Sequence, residues 1–135
     1  MIAYNAYNQY KEDSIYTASP EELTLMLYNG LVKFIMRGLD AVQKNSPEEA
    51  HKNIIRAQDI VREFMVTLDK KYTISTSLEL IYDYMLRRLV DANTHKDADV
   101  LNEVLEMAKQ LRDTWEQAMK LAKHSPKKPQ LLEQG

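Results

Sequence analysis

The run Thr17-Ala18-Ser19-Pro20-Glu21-Glu22-Leu23, continuing into Leu25-Met26-Leu27-Tyr28-Asn29-Gly30, fixes where a helix begins and then loads it with more apolar residues than one buried face can use. Ser19 is placed to accept from the open amides of the first turn. Pro20 falls where a missing N–H is harmless, and Glu22 stands three residues on, as a capping box requires. At 100° per residue, Leu23, Leu25, Leu27, Tyr28, Leu31, Val32, Phe34, Ile35, Met36, Leu39 and Val42 spread over roughly 220°, whereas a helix lying on a single core needs about 100°. This helix is therefore central, or one of its flanks awaits another helix.

The same punctuation recurs downstream. Ser46-Pro47-Glu48-Glu49 opens a second helix with Ser46 as its cap, Thr76 with Glu79 opens a third, and Asp97 or Asp99 caps a fourth. The expected helices are 20–44, 47–69, 76–95 and 98–123. Links this short make consecutive helices antiparallel neighbours. The expected fold is all-α: an antiparallel up-down four-helix bundle over 19–123. An N-terminal arm, 1–18, precedes it with at most a short capping helix, and a flexible tail, 124–135, follows. Core stripes are clear in the second helix (Ala50, Ile54, Ala57, Val61, Phe64, Leu68), the third (Leu78, Ile81, Tyr82, Met85, Leu89, Ala92) and the fourth (Leu101 to Ala122, including Trp115). Arg112 falls inward near Trp115, so it needs Asp83, Asp113 or an aromatic face as partner.

Composition excludes several functions. The chain has no cysteine and a net charge of −2 with both signs interspersed, so thiolate chemistry is absent and no one-sided basic face for nucleic acid is expected. No apolar run approaches the ~20 residues of a membrane span, and Met1-Ile2-Ala3-Tyr4-Asn5 does not resemble a leader; a soluble, cytoplasmic protein without membrane insertion is expected. Glu48-Glu49-Ala50-His51 is the one Glu-x-x-His string, too little for a di-iron bundle. Gly30, Gly38 and Gly135 make no phosphate loop. Neither a catalytic residue, a metal nor a cofactor is expected.

What remains after the core is built carries more information. Ile55 and Val66 lie about 140° round their helix from its core stripe, and Leu80 and Tyr84 lie off the stripe of theirs. Met26 falls on the polar side of the first helix. Met26, Met36, Met65 and Met85 would give a groove for an amphipathic partner helix adaptable walls. Tyr7 and Tyr10 of the arm read either as a cap on the open end of the bundle or as a docking surface, and their spacing does not decide between the two.

These residues also carry a family resemblance. Paired Tyr7 and Tyr10, then Thr17-Ala18-Ser19-Pro20, then Leu27-Tyr28-Asn29-Gly30, then Arg87-Arg88-Leu89 with Ala92-Asn93, and finally Leu111-Arg112-Asp113 with Trp115, resemble the FliS family of flagellin export chaperones over residues 4 to 120. Asn29 departs from the aspartate common there, and the tail after Lys123 matches no motif of the family. The resemblance implies a cytoplasmic chaperone that binds the C-terminal segment of flagellin, prevents premature polymerisation and delivers it to the flagellar type III secretion apparatus, with an export-gate component as a further partner. It also implicates the N-terminal segment in capping and client binding. Tyr7, Tyr10, Ile55, Val66, Leu80 and Tyr84 are the expected partner-binding residues. The alternative is a helical interaction module whose surplus apolar face serves homodimerisation.

Overall fold

The computed structural model describes residues 17–124. Four helices follow one another: α1 Pro20–Gln43, α2 Pro47–Thr67, α3 Ile74–His95 and α4 Ala98–His124. Each packs on its chain neighbours and α4 returns to α1, closing a ring of four around one core. Gly30 facing Ile60 and Gly38 facing Ile54 give α1 and α2 opposite directions. The expected all-α, up-down bundle is what forms; residues 1–16 of the arm and the tail beyond His124 lie outside the described residues.

The caps divide. Ser19 Oγ accepts from Glu22 N at 3.2 Å, and Asp97 Oδ1 accepts from the amides of Asp99 and Val100 at 2.9 and 3.3 Å, so these starts form as their sequences dictate. Ser46 does not cap α2 with its side chain. The reason lies in how α1 ends: Asn45 is left-handed (φ 55°) and Ser46 N donates back to Ala41 O at 2.8 Å. The Ser46 amide thus closes α1 while its carbonyl accepts from Ala50 N at 3.0 Å, and Pro47 starts α2 without a side-chain acceptor. Thr76 is not a cap either, because α3 begins at Ile74. Its first turn is held instead by buried Ser75, whose amide donates to Tyr72 O and whose hydroxyl donates to Lys70 O.

The core is drawn from all four helices, with Leu31, Ile35, Ile54, Val61, Met85, Leu89, Leu101 and Val104 fully enclosed. Close approach of α1 and α2 depends on Gly38: a Cβ there would stand 3.0 Å from Ile54 Cγ1, a crowded distance against a buried branched side chain. Near the other end of α1, the rings of Tyr28, Phe64 and Tyr82 stack with centroids 4.5 and 5.4 Å apart, and the two tyrosine hydroxyls meet at 2.8 Å. Burial pushes both phenols above their ordinary pKa, so the pair stays neutral and each hydroxyl satisfies the other. Arg112 takes one of its expected partners, Asp113, at 3.0 Å. Met85 is fully buried in the core and so cannot form a groove wall, a correction to the expectation for that residue.

Candidate protein-docking surface

Large apolar side chains left in solvent gather towards one end of the bundle, where α1 and α3 begin and α2 and α4 finish. Val66 is 81% exposed, Leu121 72% and Leu80 68%, and Met26 and Ile74 join them; Met36 and Val90 stand apart, further along α1 and α3. Burial of such residues would be favourable by roughly 1.5–3 kcal/mol each if a partner covered them fully. Of these, Leu80 is the one that shares a concave surface with another apolar side chain, and it is a contiguous apolar surface rather than a scattered exposed leucine that another chain can use.

Part of that surface is concave. Between α2 and α3 an open depression is lined by Met65, Thr76, Glu79, Leu80 and Asp83. Its two carboxylates are engaged at the rim, Glu79 by Lys70 at 3.3 Å and Asp83 by Arg87 at 3.0 Å, leaving Met65 and Leu80 as its apolar floor and wall. The interhelical link at the far end of the same two helices is polar, with Asn93 Nδ2 and His51 Nδ1 at 2.9 Å.

The residues singled out from sequence do not converge on one pocket. Leu80 lines the depression, and Val66 adjoins Met65 in sequence while standing almost fully in solvent. Ile55 is half-buried, about 16 Å further along α2. Tyr84 lies on the opposite flank of α3, where its hydroxyl donates to Glu103 Oε2 of α4 at 2.8 Å. Arg88 Nε reaches the other oxygen of Glu103 at 2.8 Å, and Arg87 stacks over the Tyr84 ring at 5.7 Å. The hydrogen bonds from Arg88 and Tyr84 hold the Glu103 carboxyl below the usual glutamate range, while the bond to Glu103 raises the Tyr84 phenol. Tyr84 therefore helps fasten α3 to α4. Tyr7 and Tyr10 lie outside the described residues.

Ile74 and Leu121 escaped the sequence reading. Leu121 stands off the inward stripe of α4, a signal that was present. Ile74 could not be recognised while α3 was expected to start at Thr76. Glu103 carries no sequence mark at all, because its role depends on the register between two helices.

Among the described residues, no group of three or more His, Asp or Glu side chains is placed to hold a metal ion, and no helix is long and apolar enough to cross a membrane. The molecule is, as a class, an antiparallel four-helix bundle whose distinguishing surface is a gathering of exposed apolar side chains beside a shallow interhelical depression. The family model described as flagellar protein FliS matches residues 3–122, and the chain belongs to that family. It is 43% identical over 119 residues to the flagellar secretion chaperone FliS of Bacillus subtilis, spanning 88% of this chain and 90% of that protein. The proteins of the same description from Campylobacter jejuni and Escherichia coli are 30% and 27% identical, covering 82% and 80% of this chain and 88% and 82% of their own lengths.

Proposed function

We propose that this protein is a cytoplasmic chaperone of flagellar secretion that binds the C-terminal segment of flagellin, keeps it from polymerising early and hands it to the flagellar type III secretion apparatus, where an export-gate component is a further partner. One observation carries the reading beyond family membership: exposed Leu80 lines a depression with Met65, and exposed Val66 follows Met65 in the chain, in a bundle whose own core is already complete. A segment that assembles through amphipathic helices exposes apolar stripes when alone. Val66, Leu80 and their neighbours offer such a stripe a place to be buried, with Tyr7, Tyr10, Ile55 and Tyr84 as further contacts. A client that folds as it binds loses roughly 2–5 kcal/mol of its interaction energy to ordering, so a wide contact still releases its cargo. No nucleotide or covalent step enters this mechanism.

The test is calorimetric titration with a peptide of about 40 residues from the C-terminus of the same organism's flagellin, with helicity followed in parallel. Saturable one-to-one binding, a negative heat-capacity change and a gain of helix are expected. Absence of binding at high micromolar concentration with the bundle folded would overturn the reading. A tight dimer in sedimentation that covers Val66 and Leu80 would then assign the surface to self-association.

A further inference from the structure

Among the described residues, Asn53, Gln58 and Ser75 are the buried polar side chains outside the tyrosine pair. Two of them are satisfied close to home. Asn53 Nδ2 donates to Glu49 O at 2.8 Å, and the Ser75 hydroxyl donates to Lys70 O at 3.4 Å. The tyrosine hydroxyls bond each other. Gln58, only 3% exposed, has no hydrogen-bond partner among the described residues. No side-chain nitrogen or oxygen among them is both fully enclosed and unbonded, so the little exposure Gln58 keeps reaches the oxygen and the nitrogen of its amide. An amide almost wholly withdrawn from water and still unbonded costs the folded chain stability.

The face of α2 that carries Gln58 is turned to α3. His51, Gln58 and Met65 stand two turns apart in succession, on one line along α2. His51 is bonded to Asn93 of α3 at one end of that line, and Met65 shares the depression with Thr76, Glu79, Leu80 and Asp83 of α3 at the other. Gln58 lies midway. Opposite it, α3 continues the seam with Leu86 and Val90, which fall between Asp83 and Asn93 at spacings of threes and fours. Leu86 packs against the core, Val90 is exposed, and half-buried Ile55 stands one turn before Gln58 on α2. The seam thus offers apolar contacts at Met65 and Leu80 and again at Ile55 and Val90, about 15 Å further along, with an unbonded amide between them.

We propose that Gln58 hydrogen-bonds the main chain of the bound segment where that segment crosses the α2–α3 seam in extended form. The inference rests on the reading of the protein as a chaperone for the C-terminal segment of flagellin. A primary amide carries an acceptor and donors side by side, the complement of a peptide group's N–H and C=O. A helix lying in the seam presents no free peptide group along its length, since its N–H and C=O groups bond within the helix. An extended stretch presents both. Roughly five extended residues span the ~15 Å between the two apolar contacts, setting a peptide group over Gln58 while side chains at either end meet Leu80 and Val90. Covering the seam takes the last water from the Gln58 amide. A segment with no free peptide group at that point leaves the amide unpaired and binds weakly.

The test uses the full chain and the flagellin peptide. Gln58→Met keeps nearly the length and volume of the side chain and discards the amide. The variant should be at least as stable as the parent in urea, because an unpaired buried amide is gone, while binding the peptide about tenfold to a hundredfold more weakly in the calorimetric titration. Single backbone N-methyl groups introduced in turn along the peptide then locate the contact: at one position methylation should weaken binding to the parent about tenfold and leave binding to Gln58→Met unchanged. A parent that binds no peptide would sink the client reading and this inference together. A parent that binds while Gln58→Met binds equally well would sink this inference alone. So would a Gln58→Met protein less stable than the parent, which assigns the amide to the fold, or a methyl scan in which no position is coupled to Gln58.

Discussion

Replacing Tyr82 by phenylalanine removes one oxygen atom and leaves the Tyr28 hydroxyl enclosed with nothing to bond. Tyr28 and Tyr82 are only 5% and 3% exposed, and their hydroxyls bond each other at 2.8 Å. A buried donor stripped of its partner costs its full desolvation, about 1–3 kcal/mol, whereas removing both partners together is close to neutral. Tyr82→Phe and Tyr28→Phe should each lose about 1–3 kcal/mol in urea unfolding, and the double variant should recover most of that loss, ending within about 1 kcal/mol of the parent. At the size of this bundle, each single variant should melt lower by about 4 °C or more per kcal/mol lost. The cycle isolates the pair, since the stacked ring of Phe64 is untouched in every variant. Single variants as stable as the parent, or losses that simply add in the double variant, would refute the reasoning.

Three further outcomes are expected. Because burial raises both phenols above their ordinary value near 10, they keep their protons in the folded state where the unfolded chain has lost them; stability should be complete below pH 10 and fall as the pH rises beyond it, less steeply in the double phenylalanine variant, as alkaline urea titrations will show. Asp97→Ala should lose about 1 kcal/mol because two amides of α4 lose their acceptor, while Ser46→Ala should change unfolding free energy by no more than a few tenths of a kcal/mol. Val66→Glu and Leu80→Glu, both in solvent, should leave stability within about 0.5 kcal/mol of the parent yet weaken flagellin-peptide binding tenfold or more in the same calorimetric titration.

The bundle was legible because its information is local. A proline at N1, a serine or aspartate ahead of it and apolar residues at three- and four-residue spacing are written within single helices, and α1 and α4 begin as those signals require. Ser46 misled because two claims met on one residue: it reads as a cap for α2, yet the left-handed turn at Asn45 commits its amide to the end of α1. Thr76 misled for a related reason, since the backbone of 72–75 had already started α3. The candidate surface was legible only in part. Val66 and Leu80 announce themselves by angle from the core stripe. Tyr84 has the same kind of angle and a different situation, because Glu103 meets it from across the bundle and no periodicity in α3 contains that fact. Met85 shows the converse, a flexible side chain that packing claimed completely.

Trp115, the only tryptophan in the sequence, donates its indole N–H to the carbonyl of Glu21 at 3.0 Å, pinning the first turn of α1 to α4 where the chain leaves the arm. The protein thereby carries its own optical reporter at a single defined seam. A ligand that lifts the start of α1 from α4 shifts the indole emission to the red, while one that settles between α2 and α3 leaves the spectrum unmoved, so the colour of one residue distinguishes which side of the ring has opened.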